Sequence, residues 1–287
     1  MASENIIDVR HFAMSFGSKK VISDLSFTVK RGETFGFLGS NGSGKTTTLR
    51  ALLGIYEPTG GELLVDGKPY DVASGVKIGY LPEERGLYKK ENVIDVMVYF
   101  GQLKGMSRSA AKDFSLKYLA KVGLDGYENS RIDKLSGGMQ QKVQLGITIM
   151  NDPELLILDE PTKGFDPVNQ RLLMDIILDL QKRGTTVMMV THQMDEVERL
   201  CSRILLLKDG VAKEYGTVKE VRAKFGGKHM EDIFIEIYGG VDGEDGEHFS
   251  LGDLESSRNL GADAENIARA AENSETDEDD DSRKEEK

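Results

Sequence analysis

Residues 39–46 run Gly39, Ser40, Asn41, Gly42, Ser43, Gly44, Lys45, Thr46, which is the spacing G-x-x-x-x-G-K-[ST] of a phosphate-binding loop. Nothing else in the chain restricts the fold so tightly, because such a loop works only between a buried strand and a helix. Its glycines let backbone N–H groups close around phosphate oxygens, and the following helix turns its positive end on the same anion. The neighbours comply: residues 34–38 form a short apolar run, and Thr47, Leu49, Leu52 and Leu53 carry a helical spacing. Lys45 is set to reach the β- and γ-phosphates of a nucleotide, and Thr46 to offer its hydroxyl to Mg²⁺. Thr47 completes the phosphate-binding set. A glycine-rich turn that matched by accident would lack this context, so phosphate binding prevails.

The rest of residues 1–238 alternates strands and helices. Strands are expected at residues 6–14, 21–30, 61–65, 77–81, 155–158, 186–190 and 204–207. Residues 17–20 join the first two, while Asp66–Gly67 and residues 208–210 read as hairpin turns. From 93 to 150 the period becomes helical. Val93, Val96, Met97, Phe100 and Leu103 recur at helical spacing, as do Ala110, Phe114, Lys117 or Tyr118, and Val122 behind the N-cap Ser107. This block, about 88–150, reads as a helical insertion in an α/β domain.

Two further blocks fix the chemistry. Residues 155–158 are four apolar residues ending in Asp159 and Glu160, at the strand end where α/β sheets hold ligands. An apolar strand ending in two acids is ordinary by itself. Downstream of a phosphate loop, Asp159 is placed to hold Mg²⁺ and Glu160 to act as general base toward water. Leu135, Ser136, Gly137, Gly138, Met139 and Gln140 then open the helix 141–150, a second anion-binding helix end. One nucleotide does not need two such ends on one chain. Two chains face to face do, if each lends this turn to its partner's triphosphate.

In order and spacing these three blocks resemble the Walker A, signature and Walker B motifs of ATP-binding-cassette (ABC) ATPase subunits, over residues 6–238. The resemblance implies an α/β P-loop ABC ATPase core, with an N-terminal antiparallel β subdomain and the helical insertion as a second subdomain. It also implies ATP and Mg²⁺ as cofactors, a second ATPase subunit, and a membrane permease in a separate chain. Phe16 falls where the family stacks an aromatic on adenine; the alternative is a residue at the edge of the core. His192 matches the switch histidine at the γ-phosphate. Gly164 and Asp166 match the loop that crosses the dimer interface, with Phe165 where the family more often has leucine. Glu83 stands where the family has a glutamine that touches Mg²⁺. It is either a metal ligand like Thr46 and Asp159, or a surface acid paired with Arg85. The loop from Gly79 to Tyr88 is similar to that of ATPases paired with export-type permeases. Residues 83–91 and the helix beyond are expected to receive a permease helix.

Charge separates the body from its tail. Of 49 acidic and 37 basic residues, 17 and 5 lie in residues 239–287, leaving 32 of each before them. The tail is poor in apolar residues and reads as largely disordered, with one short helix near 264–272. It is either a solubilising appendage or a contact for basic permease loops. The body shows no basic stripe, so no nucleic-acid partner is expected. A single cysteine, Cys201, suits a reducing compartment. Residues 1–16 lack a signal-peptide core, and no run of eighteen apolar residues occurs. The expected place is therefore the cytoplasmic face of the membrane, through the permease. The rival reading, an ABC ATPase working on ribosomes or DNA, usually needs tandem cassettes or long coiled-coil insertions, and neither is present.

Overall fold

The computed structural model describes residues 3–70, 75–84 and 86–239. The tail's expected disorder and short helix, and the side chain of Arg85, lie outside the described residues. The chain separates into two units, Met1–Gly240 and Val241–Lys287, and the first holds every element named here.

β1 (Asn5–Phe16) and β2 (Lys19–Lys30) form a hairpin, and β4 (Gly60–Val65) pairs with the other edge of β1, giving an antiparallel sheet in the order β2-β1-β4. The turn is tighter than residues 17–20, since Phe16 already pairs with Lys19. The turn at Asp66 and Gly67 has both residues at positive φ, as a two-residue hairpin requires. It closes one bridge only, Val65 to Lys68, and β4 takes β1 as its strand partner instead.

The second sheet runs β5 (Ile78–Leu81), β6 (Leu155–Asp159), β7 (Thr186–Thr191), β3 (Thr34–Leu38), β8 (Arg203–Lys208), β9 (Val211–Thr217). Only β9 is antiparallel, returning from β8 through Asp209 and Gly210. Of the five parallel strands, β3, β6 and β7 are buried on both faces throughout, which is why they are apolar without alternation in sequence. Alternation survives in where they point. Phe35, Phe37, Ile157, Met188 and Leu205 face the antiparallel sheet, while Leu38, Leu156, Leu158, Met189 and Leu206 face the helices. Each such side chain contributes about 1.5–3 kcal/mol on burial. Phe27 of β2 stacks on Phe35 and Phe37, both at 5.6 Å, and ties the two sheets together.

α1 (Lys45–Leu52) follows β3. Between β5 and β6 lie α2 (Val93–Leu103), α3 (Arg108–Lys121) and α4 (Gly137–Ile149). Ser107 caps α3, accepting from Ala110 N at 3.2 Å. The buried face of α3 is Ala111, Ser115, Tyr118 and Leu119, about one position round from the expected one; Ala110 is exposed and Phe114 only partly covered. Two facts account for the rotation. The Ser115 hydroxyl donates to Ala111 O at 2.6 Å, so it is buried without loss. Gly101 of α2 meets Ala111 so closely that a Cβ there would stand 2.6 Å from the alanine methyl. That contact draws the seam through Val93, Met97 and Gly101 and leaves Leu103 65% exposed. α4 begins at Gly137, four residues earlier than expected.

α5 (Pro167–Lys182), α6 (Met194–Leu200), α7 (Val218–Lys224) and α8 (Met230–Tyr238) complete the unit. Among the described residues no helix is long and apolar enough to cross a membrane.

Candidate active site

β3, β6 and β7 are neighbours and parallel, so the loops that follow them leave one edge of the sheet side by side. The first is the phosphate-loop sequence. Gly44 caps α1 with φ +110, and a Cβ there would stand 2.4 Å from Ile22 Cδ1, so glycine alone satisfies both backbone and space. Ser40, Asn41 and Gly42 are exposed, and Thr46 and Thr47 half-buried. Ser43 is buried with its hydroxyl unpartnered. Lys45 Nζ donates to Gly39 O at 2.7 Å and Ser40 O at 3.0 Å. Burial lowers its ammonium below the ordinary lysine value, against the pull of Glu160, Asp159 and Glu83. A buried cation held only by two carbonyls is ready for a stronger anionic partner.

Lys45 and Thr46 share a cavity of about 250 Å³ with Glu83, Asp159, Glu160, Lys163 and His192. Glu160 opens the second loop at φ +48, an uncommon value for a residue with a Cβ, held by its N–H on Val190 O at 2.8 Å. His192 Nδ1 stands 2.9 Å from both oxygens of the Glu160 carboxylate and is aligned to bond Oε1. Burial, reinforced by the Glu83 and Glu160 charges, pushes the Asp159 carboxyl up to about 6. The unpartnered Ser43 hydroxyl and the poorly stabilised buried Asp159 carboxylate suit an oxygen-seeking divalent cation. Among the described residues no three or more His, Cys, Asp or Glu side chains converge to hold a metal alone. A cation would therefore also need phosphate oxygens and water, the usual habit of Mg²⁺.

Among the described residues Glu83 is paired with Lys163, whose Nζ donates to Glu83 Oε1 at 2.5 Å; the expected pairing with Arg85 lies outside the described residues. Phe16 is 47% exposed at the end of β1, free on one side to meet a ligand. Tyr56 braces it edge-on at 5.3 Å and accepts from Arg50 at 3.0 Å. Lys19 and Lys20 follow in the same hairpin. With Val21, Thr46, Thr47 and Asp209 they line a cleft of about 430 Å³ against the phosphate loop. Only the chain reversal after Phe16 brings these lysines there; as an isolated pair in the sequence they read as solvated surface.

None of residues 135–140 lines either cavity among the described residues. Ser136 is exposed and caps α4, accepting from Met139 N at 3.3 Å. Gly137 and Gly138 open the helix, and Phe165 lies 3.8 Å from where a Gly138 Cβ would stand. Leu135 is buried and Met139 packs on the core. The Gln140 amide donates to Ile132 O and Leu135 O, at 3.1 and 3.0 Å. Leu135, Met139 and Gln140 thus hold the turn in place, leaving Ser136, Gly137 and Gly138 to offer polar groups outward. Gly164 is exposed at φ +78. Asp166 caps α5, accepting from Asn169 N and Nδ2 at 2.9 and 2.7 Å, and these bonds hold its carboxyl below the usual range.

A family model described as ABC transporter matches residues 22–163. Over 218 residues the chain is 46% identical to an uncharacterized ABC transporter ATP-binding protein of Methanocaldococcus jannaschii, a span of 76% of this chain and 80% of that one. It is 37% identical over 241 residues to the Nod factor export ATP-binding protein I of a Rhizobium species, covering 83% of this chain and 78% of the relative. Among solved structures it resembles an ATP-binding subunit of an ABC transporter with a TM-score of 0.75 at 27% identity, over 81% of this chain and 99% of that one.

Proposed function

The chain belongs to the ABC transporter ATP-binding proteins and is an ATPase, and on that premise we propose that it is one of two subunits that close on two ATP molecules and drive a separately encoded membrane permease in the export direction. One observation carries the reading. Lys45, Thr46, Asp159, Glu160 and His192 share a single cavity, whereas the outward turn at Ser136, Gly137 and Gly138 lies apart from it. A second copy is the natural owner of a triphosphate for that turn. Gly164, Asp166 and Val168, the last 78% exposed, would lie in the same interface.

In the bound state Lys45 and the loop N–H groups hold the β- and γ-phosphates. Thr46, Asp159 and Glu83 would hold Mg²⁺, which would supply positive charge to neutralise the phosphates beside three carboxylates. Glu160 takes a proton from water, and His192 orients the γ-phosphate from the other side of the 2.9 Å contact. Phe16 stacks on adenine. Phe16→Ala should weaken ATP binding by about 5- to 150-fold, the worth of one aromatic–base stack. Inorganic triphosphate should compete equally well against both chains in the same titration, since it has no base to stack.

The permease contact falls on the helical block. Tyr88, Glu91, Asp95, Val96 and Tyr99 line a groove of about 340 Å³, in which Tyr88 and Tyr99 are half-exposed aromatics. The relative named for Nod factor export supports the outward direction. Pulling the tagged chain from detergent-solubilised membranes should recover a multi-span membrane protein. Recovery with ribosomes, and never with a membrane protein, would favour the translation-type rival.

A further inference from the structure

Behind Glu160 and His192 lies a buried polar ring that the chemistry above does not use. Glu196 on α6 is 1% exposed, and Thr162 and Thr191 are as deeply buried. Gln193 donates its backbone N–H to Thr191 Oγ1 at 3.0 Å and its side-chain Nε2 to Thr162 Oγ1 at 3.0 Å. Thr191 Oγ1 donates onward to Glu196 Oε2 at 3.3 Å, and the Thr162 hydroxyl acts on the same carboxyl.

The direction of these bonds follows from one residue. A carboxylate oxygen accepts, so Thr191 turns its hydrogen toward Glu196 Oε2 and keeps a lone pair for the Gln193 N–H, while Thr162 Oγ1, beside the same carboxyl, accepts from Gln193 Nε2. The ring spans three places: Thr162 in the loop after β6, Thr191 and Gln193 at the end of β7, and Glu196 on α6. Burial raises the Glu196 carboxyl above its ordinary value even against the two hydroxyls, and Oε1 is buried with no partner. A carboxylate in so unfavourable a place is poor packing material; an apolar residue of similar size would fill the space at lower cost.

We propose that Glu196 is a positioning residue, locking the loop 160–166 to the loop 192–193 so that Glu160 and His192 keep their contact through turnover. The proposal rests on the reading of that pair as catalytic. Glu196→Gln keeps the shape but exchanges a charged acceptor for a weaker neutral one, so the Thr191 hydroxyl is held less firmly. Thr162→Val removes another link of the same ring.

In the full chain each substitution should lower kcat by about 10- to 100-fold, with the Kd for ATP, measured in EDTA, within about threefold of the parent. The double variant should be no worse than the weaker single, because both cut one ring. Amide hydrogen exchange should rise together in residues 162–166 and 192–195. Should the valine chain not fold, exchange and kcat of Glu196→Gln decide. Parent-level turnover, additive losses, or exchange that rises in one loop alone overturns the proposal. A silent Glu160→Gln would overturn the catalytic pair instead, and coupled exchange would still judge the ring.

Discussion

Lys45→Ala is expected to lose ATP affinity by about 10- to 100-fold and steady-state turnover with it. The size follows from the bonds removed. A charge-assisted hydrogen bond contributes about 1.5–3 kcal/mol, and about 1.4 kcal/mol is tenfold in affinity. Electrostatics pushes the same way. Without Lys45 the cavity holds Glu83, Asp159 and Glu160 against Lys163, itself already paired to Glu83, so a triphosphate meets net repulsion. The fold should be indifferent. Burial disfavours the Lys45 charge, and alanine removes a cation whose partners are two loop carbonyls, so the melting temperature should stay within a few degrees of the parent. Titration with a fluorescent ATP analogue, beside a thermal melt, separates the two. A folded Lys45→Ala chain with the parent's affinity and turnover would remove residues 39–46 from the phosphate site.

The parallel strands were legible because a strand buried on both faces must be apolar throughout, as at 34–38 and 155–158, and such runs are rare outside a core. The phosphate loop was legible for a related reason: its ligand is held largely by backbone, so the demand falls on glycines at fixed spacing rather than on distant partners. What stayed hidden depends on contacts between remote segments. Lys163 lies 80 residues from Glu83, and no periodicity joins them; the amide expected at position 83 drew attention to the metal and away from a cation. The Gln193 side chain finds Thr162 only because β6 and β7 are adjacent. α5 was hidden in plain view. Asp166 followed by Pro167 is a strong helix start, N-cap then Pro at N1, but its match to an interface loop absorbed the reading. One residue carries both meanings, since a cap also fixes where the loop before it ends.

Glu160→Gln is expected to lower kcat by about 100- to 10,000-fold, the range for removal of a positioned general base, while ATP binding is kept or strengthened. The substitution is close to isosteric and acts on one property. The new side chain could still accept from His192 Nδ1 through its amide oxygen, so the 2.9 Å contact survives; it could not take a proton from water. The backbone at φ +48 is held by the N–H bond to Val190 O, which the change does not touch. Removing one of three carboxylates also eases repulsion of the γ-phosphate and of Asp159, whose carboxyl is raised first by burial and then by the Glu83 and Glu160 charges. Asp159 should then ionise more readily and hold a cation better. With closure intact and hydrolysis stopped, ATP should accumulate a dimer on size-exclusion chromatography, whereas the parent returns to monomer as ATP is consumed. The three readouts separate the roles. Unchanged turnover would remove Glu160 as the base. Lost ATP binding would make it a structural residue of the cavity. Slow hydrolysis with ATP bound and no dimer would leave the chemistry in place and return the turn at Ser136, Gly137 and Gly138 to a role within its own chain.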